Sequence, residues 1–243
     1  MIRTVIGVAL VLGLSLPSSK AFAEYQTAPV AKAGVVEGRV LLANAEPQIK
    51  RFRVFKDRGV CGAGSRDVPL VRANGMALLD TVVYLDDITR GKPFSAAAKK
   101  VTINQKACSF KPAMSVMASG GVLETVNSDP VLHNVHVYDV LGGDRRTVMT
   151  VSQPEKGDIA AKRLTLDRGH VLKIECDAHD FMHAWTFVAQ NPYYAVVDRE
   201  GRFRIDRVPP GNYTVRAWHR TLGIRAVDVT VPADGTVTLD LAY

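Results

Sequence analysis

Short runs of alternating or β-branched residues, separated by turn sequences, constrain the fold of this chain more than any other feature. Runs such as VVEGRVLL, NVHVYDV and YTVRAWH recur along the chain, and clusters such as NSDP, DREG, VPPG and PADG lie between them. Helical periodicity is almost absent. Many short strands with regular turn signals predict an all-β chain, built as one β-sandwich or a pair of sandwiches.

The N-terminus reads as a secretory signal peptide over residues 1–23. Arg3 supplies the positive start, Val5 to Leu16 form an apolar run, and Ala21-Phe22-Ala23 is a small-residue cleavage pattern. The apolar run is too short for a stable membrane span, and no later stretch is long enough to cross a bilayer. We therefore expect a mature chain that starts near Glu24 and is periplasmic or secreted.

The net charge is +7, and Arg3 and Lys20 of the predicted signal peptide contribute two of these charges. The remaining basic residues are scattered, and no aromatic platform is interleaved with them, so a nucleic-acid partner is not expected. A mildly basic surface favours an acidic protein partner or an anionic membrane, and in exported proteins it often has no role.

The chain contains three cysteines, Cys61, Cys108 and Cys176. In an oxidising compartment an odd number leaves one thiol without a disulfide partner. The simplest partition pairs Cys61 with Cys108 and leaves Cys176 free. Because a lone exposed thiol is easily oxidised, Cys176 calls for a protective role such as metal ligation.

A first cluster of metal-binding residue types lies in NSDPVLHNVHVYD, residues 127–139. A turn there leads into a predicted strand, with His133 near the start of the strand. His133 and His136 are three residues apart and point to opposite faces of an extended chain. We therefore take His133 as the candidate ligand and His136 as a surface or packing residue, with Asn134 as a brace for a neighbouring loop.

A second cluster lies in IECDAHDFMHAW, residues 174–185, where a predicted strand leads to Cys176, His179 and Met182. With His133 added, the set is one thiolate, two imidazoles and one thioether, which are the ligands of a blue-copper electron-transfer site. Zinc accepts cysteine and histidine but rarely methionine. The same residue types could also form a nucleophilic Cys–His pair, or a purely structural set of buried side chains.

These residues resemble those of the cupredoxins, in which a histidine precedes Asn-Val and a Cys-x-x-His loop is followed by a methionine. Residues 34–243 are similar to exported bacterial plastocyanin-like proteins of the methylamine-utilisation or carboxypeptidase-regulatory-like family. The matching stretches include VVYLDDITRGKPF, INQKACSFKP, SDPVLHNVHVYD and CDAHDFMHAW. The resemblance implies a cupredoxin sandwich with His133, Cys176, His179 and Met182 as copper ligands.

The chain departs from the family pattern in three places. Met182 follows the loop histidine by three positions rather than four or five, so His183 is an alternative axial ligand. Asp180-Phe181 replaces a Pro-Trp pair, which places a carboxylate beside the site and favours a lower copper potential or a more hydrated site. Ala113 replaces a histidine on which some relatives could build a second metal site.

The resemblance also implies a division into domains. Residues 191–243 resemble a small prealbumin-like (carboxypeptidase-regulatory-like) β-sandwich, and residues 34–75 are expected to supply N-terminal strands that pack with it. Residues 76–190 would form the cupredoxin domain inserted between them. Trp218 and His219 are interpreted as packing residues.

The sequence thus predicts an exported type 1 copper protein that carries single electrons between unidentified protein redox partners and is not itself an enzyme. A different function for the same ligands would be copper storage or delivery. A third possibility is an envelope- or carbohydrate-binding module with a vestigial metal site.

Overall fold

The computed structural model describes residues 24–166 and 169–243, and the predicted signal peptide lies outside them. The all-β prediction is confirmed, since both helices of the described residues, α1 (Arg58–Cys61) and a 3-10 helix (Ala96–Lys99), have four residues each. The strands are, in chain order, β1 (Gln26–Thr27), β2 (Gly34–Leu41), β3 (Gln48–Arg53), β4 (Ser65–Val71), β5 (Ala73–Asn74), β6 (Ala77–Leu78), β7 (Thr81–Leu85), β8 (Arg90–Gly91), β9 (Lys100–Gln105), β10 (Phe110–Lys111), β11 (Met114–Ala118), β12 (Gly121–Asn127), β13 (His133–Leu141), β14 (Asp144–Gln153), β15 (Ile159–Leu164), β16 (Val171–Cys176), β17 (His179–Ala189), β18 (Tyr194–Val196), β19 (Arg202–Val208), β20 (Gly211–His219), β21 (Gly223–Val231) and β22 (Thr236–Ala242). No helix in this part of the chain is long and apolar enough to span a membrane.

Two sheets form a first sandwich, with strand orders β10-β9-β12-β15 and β11-β17-β16-β13-β14. Burial alternates along β13, where His133, Val135 and Val137 are buried and the residues between them are partly exposed. This period of two places one face of the strand in the core. The core between the two sheets includes Ile103 and Leu123 from one sheet and Val135 and Ile174 from the other.

Two further sheets form a second sandwich, with strand orders β18-β7-β20-β21 and β19-β2-β6-β5, and β22 also pairs with β2. The N-terminal strand β2 therefore pairs with two C-terminal strands, in parallel with β22 and antiparallel to β19. Val36 and Val40 of β2 pack with Phe203 and Val215 in the core of this sandwich.

The structure corrects the domain boundary expected between residues 75 and 76. β7 pairs with β18 and β20, so it belongs to the second sandwich rather than to the domain predicted for residues 76–190. All five residues of β7 are buried, because the strand lies between two apolar clusters. Val83 and Leu85 face the core of the second sandwich, whereas Val82 and Tyr84 face the first sandwich.

The hairpin β3–β4, expected to pack with the C-terminal sandwich, also contributes to the first. Phe52 and Val54 lie in the core of the first sandwich together with Cys61 of α1. Cys61 forms a disulfide with Cys108, which confirms the predicted pairing, and Cys176 is free and buried. The segment from β3 to α1 is thus attached to the first sandwich by apolar packing and by a covalent bond.

An aromatic cluster joins the two sandwiches. Tyr84 and Trp218 of the second sandwich pack against Phe187 of the first, with ring centroids 4.7 Å and 6.0 Å from that of Phe187. Trp218 is therefore a packing residue, as predicted. Burial of large aromatic side chains on both sides stabilises the contact between the sandwiches.

Candidate metal centre

The pairing of β13 with β16 brings His133 to Cys176. The two strands are antiparallel, with Val135 opposite Cys176. Directly paired residues share a face of the sheet, and so do residues two apart on one strand, so His133 projects from the same face as Cys176. The His133 Nδ1 atom lies 3.7 Å from the Cys176 Sγ atom.

A tight turn brings His179 to the same sulfur. β16 ends at Cys176 and β17 begins at His179, and these two residues pair with each other across the turn. The backbone N–H of Asp177 in the turn donates to the Asn134 carbonyl at 2.9 Å, which holds the turn against β13. The His179 Nδ1 atom lies 3.6 Å from the Cys176 Sγ atom.

The three donor atoms form one buried group. The side-chain donor atoms of His133, Cys176 and His179 all lie within 4.8 Å of one another. The three residues are 0%, 3% and 2% exposed, respectively. A ligand held between them would be shielded from bulk water.

Two carboxylates determine which nitrogen of each imidazole carries the proton. His133 Nε2 lies 3.0 Å from an oxygen of Asp129, and His179 Nε2 lies 2.9 Å from an oxygen of Asp57. An ionised carboxylate only accepts hydrogen bonds, so each Nε2 must donate. In the neutral imidazoles, each Nδ1 then presents a lone pair toward Cys176.

A bound metal ion would satisfy these three donor atoms better than hydrogen bonds among them can. A thiol carries one proton and can satisfy only one of the two Nδ1 lone pairs that face it. A tetrahedral or trigonal metal bonded at about 2.3 Å to sulfur and about 2.0 Å to nitrogen separates these atoms by about 3.5–3.7 Å. The distances from Cys176 Sγ to the two Nδ1 atoms, 3.7 Å and 3.6 Å, lie in that range.

The surroundings of the sulfur affect its ionisation in opposite directions. Burial raises the pKa of the Cys176 thiol, and it outweighs the backbone N–H groups of Asn134, Ala178 and His179, which donate to the sulfur and lower its pKa. A thiolate in this position would keep these N–H donors as partners. A bound cation would offset the cost of burying the negative charge of that thiolate.

Burial also opposes a charge on the first imidazole. It lowers the pKa of His133, although the hydrogen bond to Asp129 acts in the other direction. Burial likewise disfavours ionisation of Asp129, but the N–H groups of Cys108 and Ala107 and the His133 ring outweigh it and lower the pKa of this carboxyl. The pair is therefore a neutral imidazole beside an ionised carboxylate, as a metal ligand requires.

Met182 and His183 lie on opposite faces of β17. Met182 is 1% exposed and packs in the same core cluster as Cys176. His183 pairs with Glu175, the residue before Cys176, and its Nδ1 atom lies 3.4 Å from a carboxylate oxygen of Glu175. Successive side chains on a strand alternate between faces, so His183 faces away from the Cys176 sulfur. Met182 is thus the better placed of the two candidate axial ligands.

His136 lies on the face opposite His133, as its spacing predicted. Its ring stacks on Tyr138, and its Nε2 atom lies 2.8 Å from the Thr147 hydroxyl. The Asn134 side chain donates to Asp177 at 3.0 Å, which braces the turn between β16 and β17 as expected.

Sequence reasoning assigned no role to Asp57 or Asp129. Asp129 lies in the turn four residues before His133, and a carboxylate at that spacing from a candidate ligand could have indicated it. Asp57 is 122 residues from His179 in the chain, and the nearest indication was the predicted disulfide of Cys61, four residues further on.

One protein-family model matches the chain, over residues 177–239, and it describes domain II of polysaccharide lyase family 4. The matched segment begins in the turn after β16 and ends in β22, so it includes parts of both sandwiches. No curated protein matches the chain.

Several solved structures match part of the chain. A copper-containing nitrite reductase from Thermus scotoductus SA-01 is 21% identical over 37% of this chain and 22% of its own, with a TM-score of 0.30. A purple cupredoxin from Nitrosopumilus maritimus is 18% identical over 37% of this chain and 99% of its own, with a TM-score of 0.31. Reduced auracyanin from Roseiflexus castenholzii is 12% identical over 40% of this chain and 99% of its own, with a TM-score of 0.32. Similarity at this level assigns no function to the chain.

Proposed function

We propose that this chain is an exported copper protein of the cupredoxin class that carries single electrons between protein redox partners. The observation that supports the proposal most directly is the convergence of His133 Nδ1 and His179 Nδ1 on Cys176 Sγ at metal-ligand spacing. The order of the ligands along the chain and the all-β frame agree with that class.

In this proposal the chain holds a fixed donor set for both oxidation states. Copper bound here would supply one-electron oxidation and reduction. The thiolate of Cys176 and the thioether of Met182 suit the cuprous state, and the imidazoles suit both states, so little rearrangement accompanies electron transfer. The N–H donors around Cys176 would stabilise negative charge on the sulfur and tune the potential.

Burial of the ligands favours electron transfer over copper delivery. Delivery requires a partner to replace ligands one after another, and His133, Cys176 and His179 are at most 3% exposed. An electron can pass through the protein without any ligand leaving. An enzyme would need an open position on the metal for its substrate, whereas a carrier does not. Because the ligands are buried, we propose a carrier rather than an enzyme.

A second candidate is an envelope- or carbohydrate-binding module in which the metal site is vestigial. The match of residues 177–239 to a polysaccharide lyase domain supports this candidate. It predicts that copper leaves the stability of the protein unchanged, whereas a native copper site binds copper in the folded state and raises the melting temperature.

The deciding experiment is copper titration of the protein that begins at Glu24. Wild type with Cu(II) should show intense visible absorption from a thiolate–copper bond, and Cys176→Ser should lose it. An equally coloured Cys176→Ser variant would exclude thiolate ligation. A colourless wild type that binds only Cu(I) would indicate storage or delivery instead.

A further inference from the structure

The disulfide connects the two segments that carry the carboxylates on the imidazoles. Asp57 begins the turn of α1, and its carbonyl accepts the backbone N–H of Cys61 at 2.8 Å. Asp129 accepts the backbone N–H groups of Ala107 and Cys108 at 2.7 Å and 2.8 Å. Each half of the disulfide is therefore hydrogen-bonded to one of the two carboxylate-bearing residues.

Further contacts hold the hairpin β3–β4 on the loop that carries Cys108. Arg66 of β4 donates to the carbonyls of Ala107 and Cys108, both at 2.9 Å, and to the Ser109 hydroxyl at 2.7 Å. Phe52 and Val54 pack into the core cluster of the first sandwich, which also contains Cys176. The hairpin is thus held in place by polar, apolar and covalent contacts.

Asp57 covers the second imidazole. The His179 side chain is 1% exposed, whereas that of Asp57, 2.9 Å away, is 37% exposed. Asp57 thus occupies the position between the Nε2 edge of His179 and the solvent. Its backbone is in the left-handed region, with φ of 50°, a conformation that glycine and asparagine tolerate better than other residues.

We propose that Asp57 and Asp129 are positioning residues that aim the two imidazoles at the metal, and that the Cys61–Cys108 disulfide keeps both carboxylates in place. The segment from β3 to α1 is then a structural part of the metal centre, although it lies far from Cys176 in the chain. This inference rests on the proposed copper site and adds the residues that orient its ligands.

The proposal predicts different effects for loss of the carboxylate and loss of its charge. Asp57→Gly keeps the backbone conformation but frees the His179 ring, so copper affinity should fall about 10- to 100-fold. Asp57→Asn retains an oxygen that accepts from Nε2, so it should restore most of the affinity. Because it removes a negative charge that favours Cu(II), Asp57→Asn should also raise the reduction potential.

A measurement on the metal-free protein tests whether Asp57 shields the site from solvent, separately from copper binding. Cys176 is the one cysteine outside the disulfide, and it is 3% exposed. Alkylation by iodoacetamide, followed by mass spectrometry, should be at least about tenfold faster in apo Asp57→Gly than in apo wild type. The same increase is expected in the double variant Cys61→Ala/Cys108→Ala.

Asp67→Ala is the matched control, because Asp67 is an exposed carboxylate of the same hairpin that pairs with Arg51. It should leave the alkylation rate, the copper affinity and the potential unchanged.

Circular dichroism verifies that each variant is folded, and if the double cysteine variant does not fold, the Asp57 variants decide the outcome. The inference is overturned if Asp57→Gly behaves like Asp67→Ala in both the apo and the copper-loaded protein. If wild type shows no thiolate–copper band, the proposed function is wrong. The alkylation rates would still test whether Asp57 shields the site.

Discussion

The Nε2 atom of His179 lies 2.9 Å from a carboxylate oxygen of Asp57, although 122 residues separate them in the chain. This contact, and the equivalent one between His133 and Asp129, determine the tautomers of both imidazoles. The lone pairs directed at Cys176 therefore depend on residues from three separate parts of the chain.

We expect His133→Ala to abolish the visible absorption of the copper-loaded protein. The substitution removes one of the two nitrogen donors from the plane around the metal. His136→Ala is the matched control, because His136 lies three residues away on the opposite face of β13. Visible spectra of both variants with Cu(II) provide the measurement, and a spectrum lost in His136→Ala but kept in His133→Ala would reverse the assignment.

Met182→Leu should keep the copper and the colour but raise the reduction potential. Although a thioether suits Cu(I), removing a donor altogether costs Cu(II) more than Cu(I), because Cu(I) is satisfied by the three remaining ligands, so the substitution favours Cu(I). Leucine has a similar volume, and the cost in folding stability should stay below about 1.5 kcal/mol. Redox titration of Met182→Leu and His183→Ala separates the two candidates, and a potential that moves only in His183→Ala would make His183 the axial ligand.

The stability of the protein should decrease below neutral pH because of His219. Burial, followed by the charge of Arg220, lowers the pKa of His219 to about 4. The unfolded chain binds a proton near pH 6.5, so this contribution to stability is complete above that pH and is lost as the pH falls toward 4. Between pH 7 and pH 5 the expected loss is about 2 kcal/mol.

Urea unfolding at pH 7 and pH 5 measures this loss, with His219→Asn for comparison. The Nδ1 atom of His219 accepts the N–H groups of Thr221 and Leu222, and an asparagine oxygen can take its place. The variant should therefore lose less stability than wild type between the two pH values. Equal losses in the two proteins would assign the pH dependence to other groups.

Gly38→Ala should destabilise the second sandwich. Gly38 pairs with Leu239, and a Cβ atom at Gly38 would lie 1.6 Å from the Leu239 carbonyl oxygen, so β2 and β22 would have to separate. The cost should exceed about 3 kcal/mol in the free energy of unfolding. Gly143→Ala is the control, because a Cβ atom at Gly143 would have no neighbour within 4 Å. It should change the free energy of unfolding by less than about 0.5 kcal/mol. Equal denaturation midpoints for the two variants would contradict the pairing of β2 with β22.

Features that depend on neighbouring residues were predictable from the sequence. The period of two along β13 placed His133 and His136 on opposite faces, and the structure agrees. The turn between Cys176 and His179 was visible because a strand of β-branched and apolar residues ends at the cysteine. The odd number of cysteines, with Cys176 placed among the histidines, favoured the Cys61–Cys108 disulfide that the structure contains.

Features that depend on which strands pair were not predictable in the same way. The run TVVYL lies within the domain predicted to begin at residue 76, but it forms β7 in the second sandwich. A strand that is buried on both faces has no amphipathic pattern, so its sequence does not say which core it joins.

The amino-acid sequence by itself determined the all-β class and the residue types that form the candidate metal centre, because each follows from short-range pattern or from composition. Only the tertiary structure decided that Asp57 and Asp129 orient the imidazoles and that Asp57, which follows β3, covers His179. The Asp57 contact arises from packing between segments that are 122 residues apart in the chain, and a hydrogen bond between two such residues leaves no periodic signal in either segment. Asp129 lies only four residues before His133, but its contact depends on how the turn between them folds.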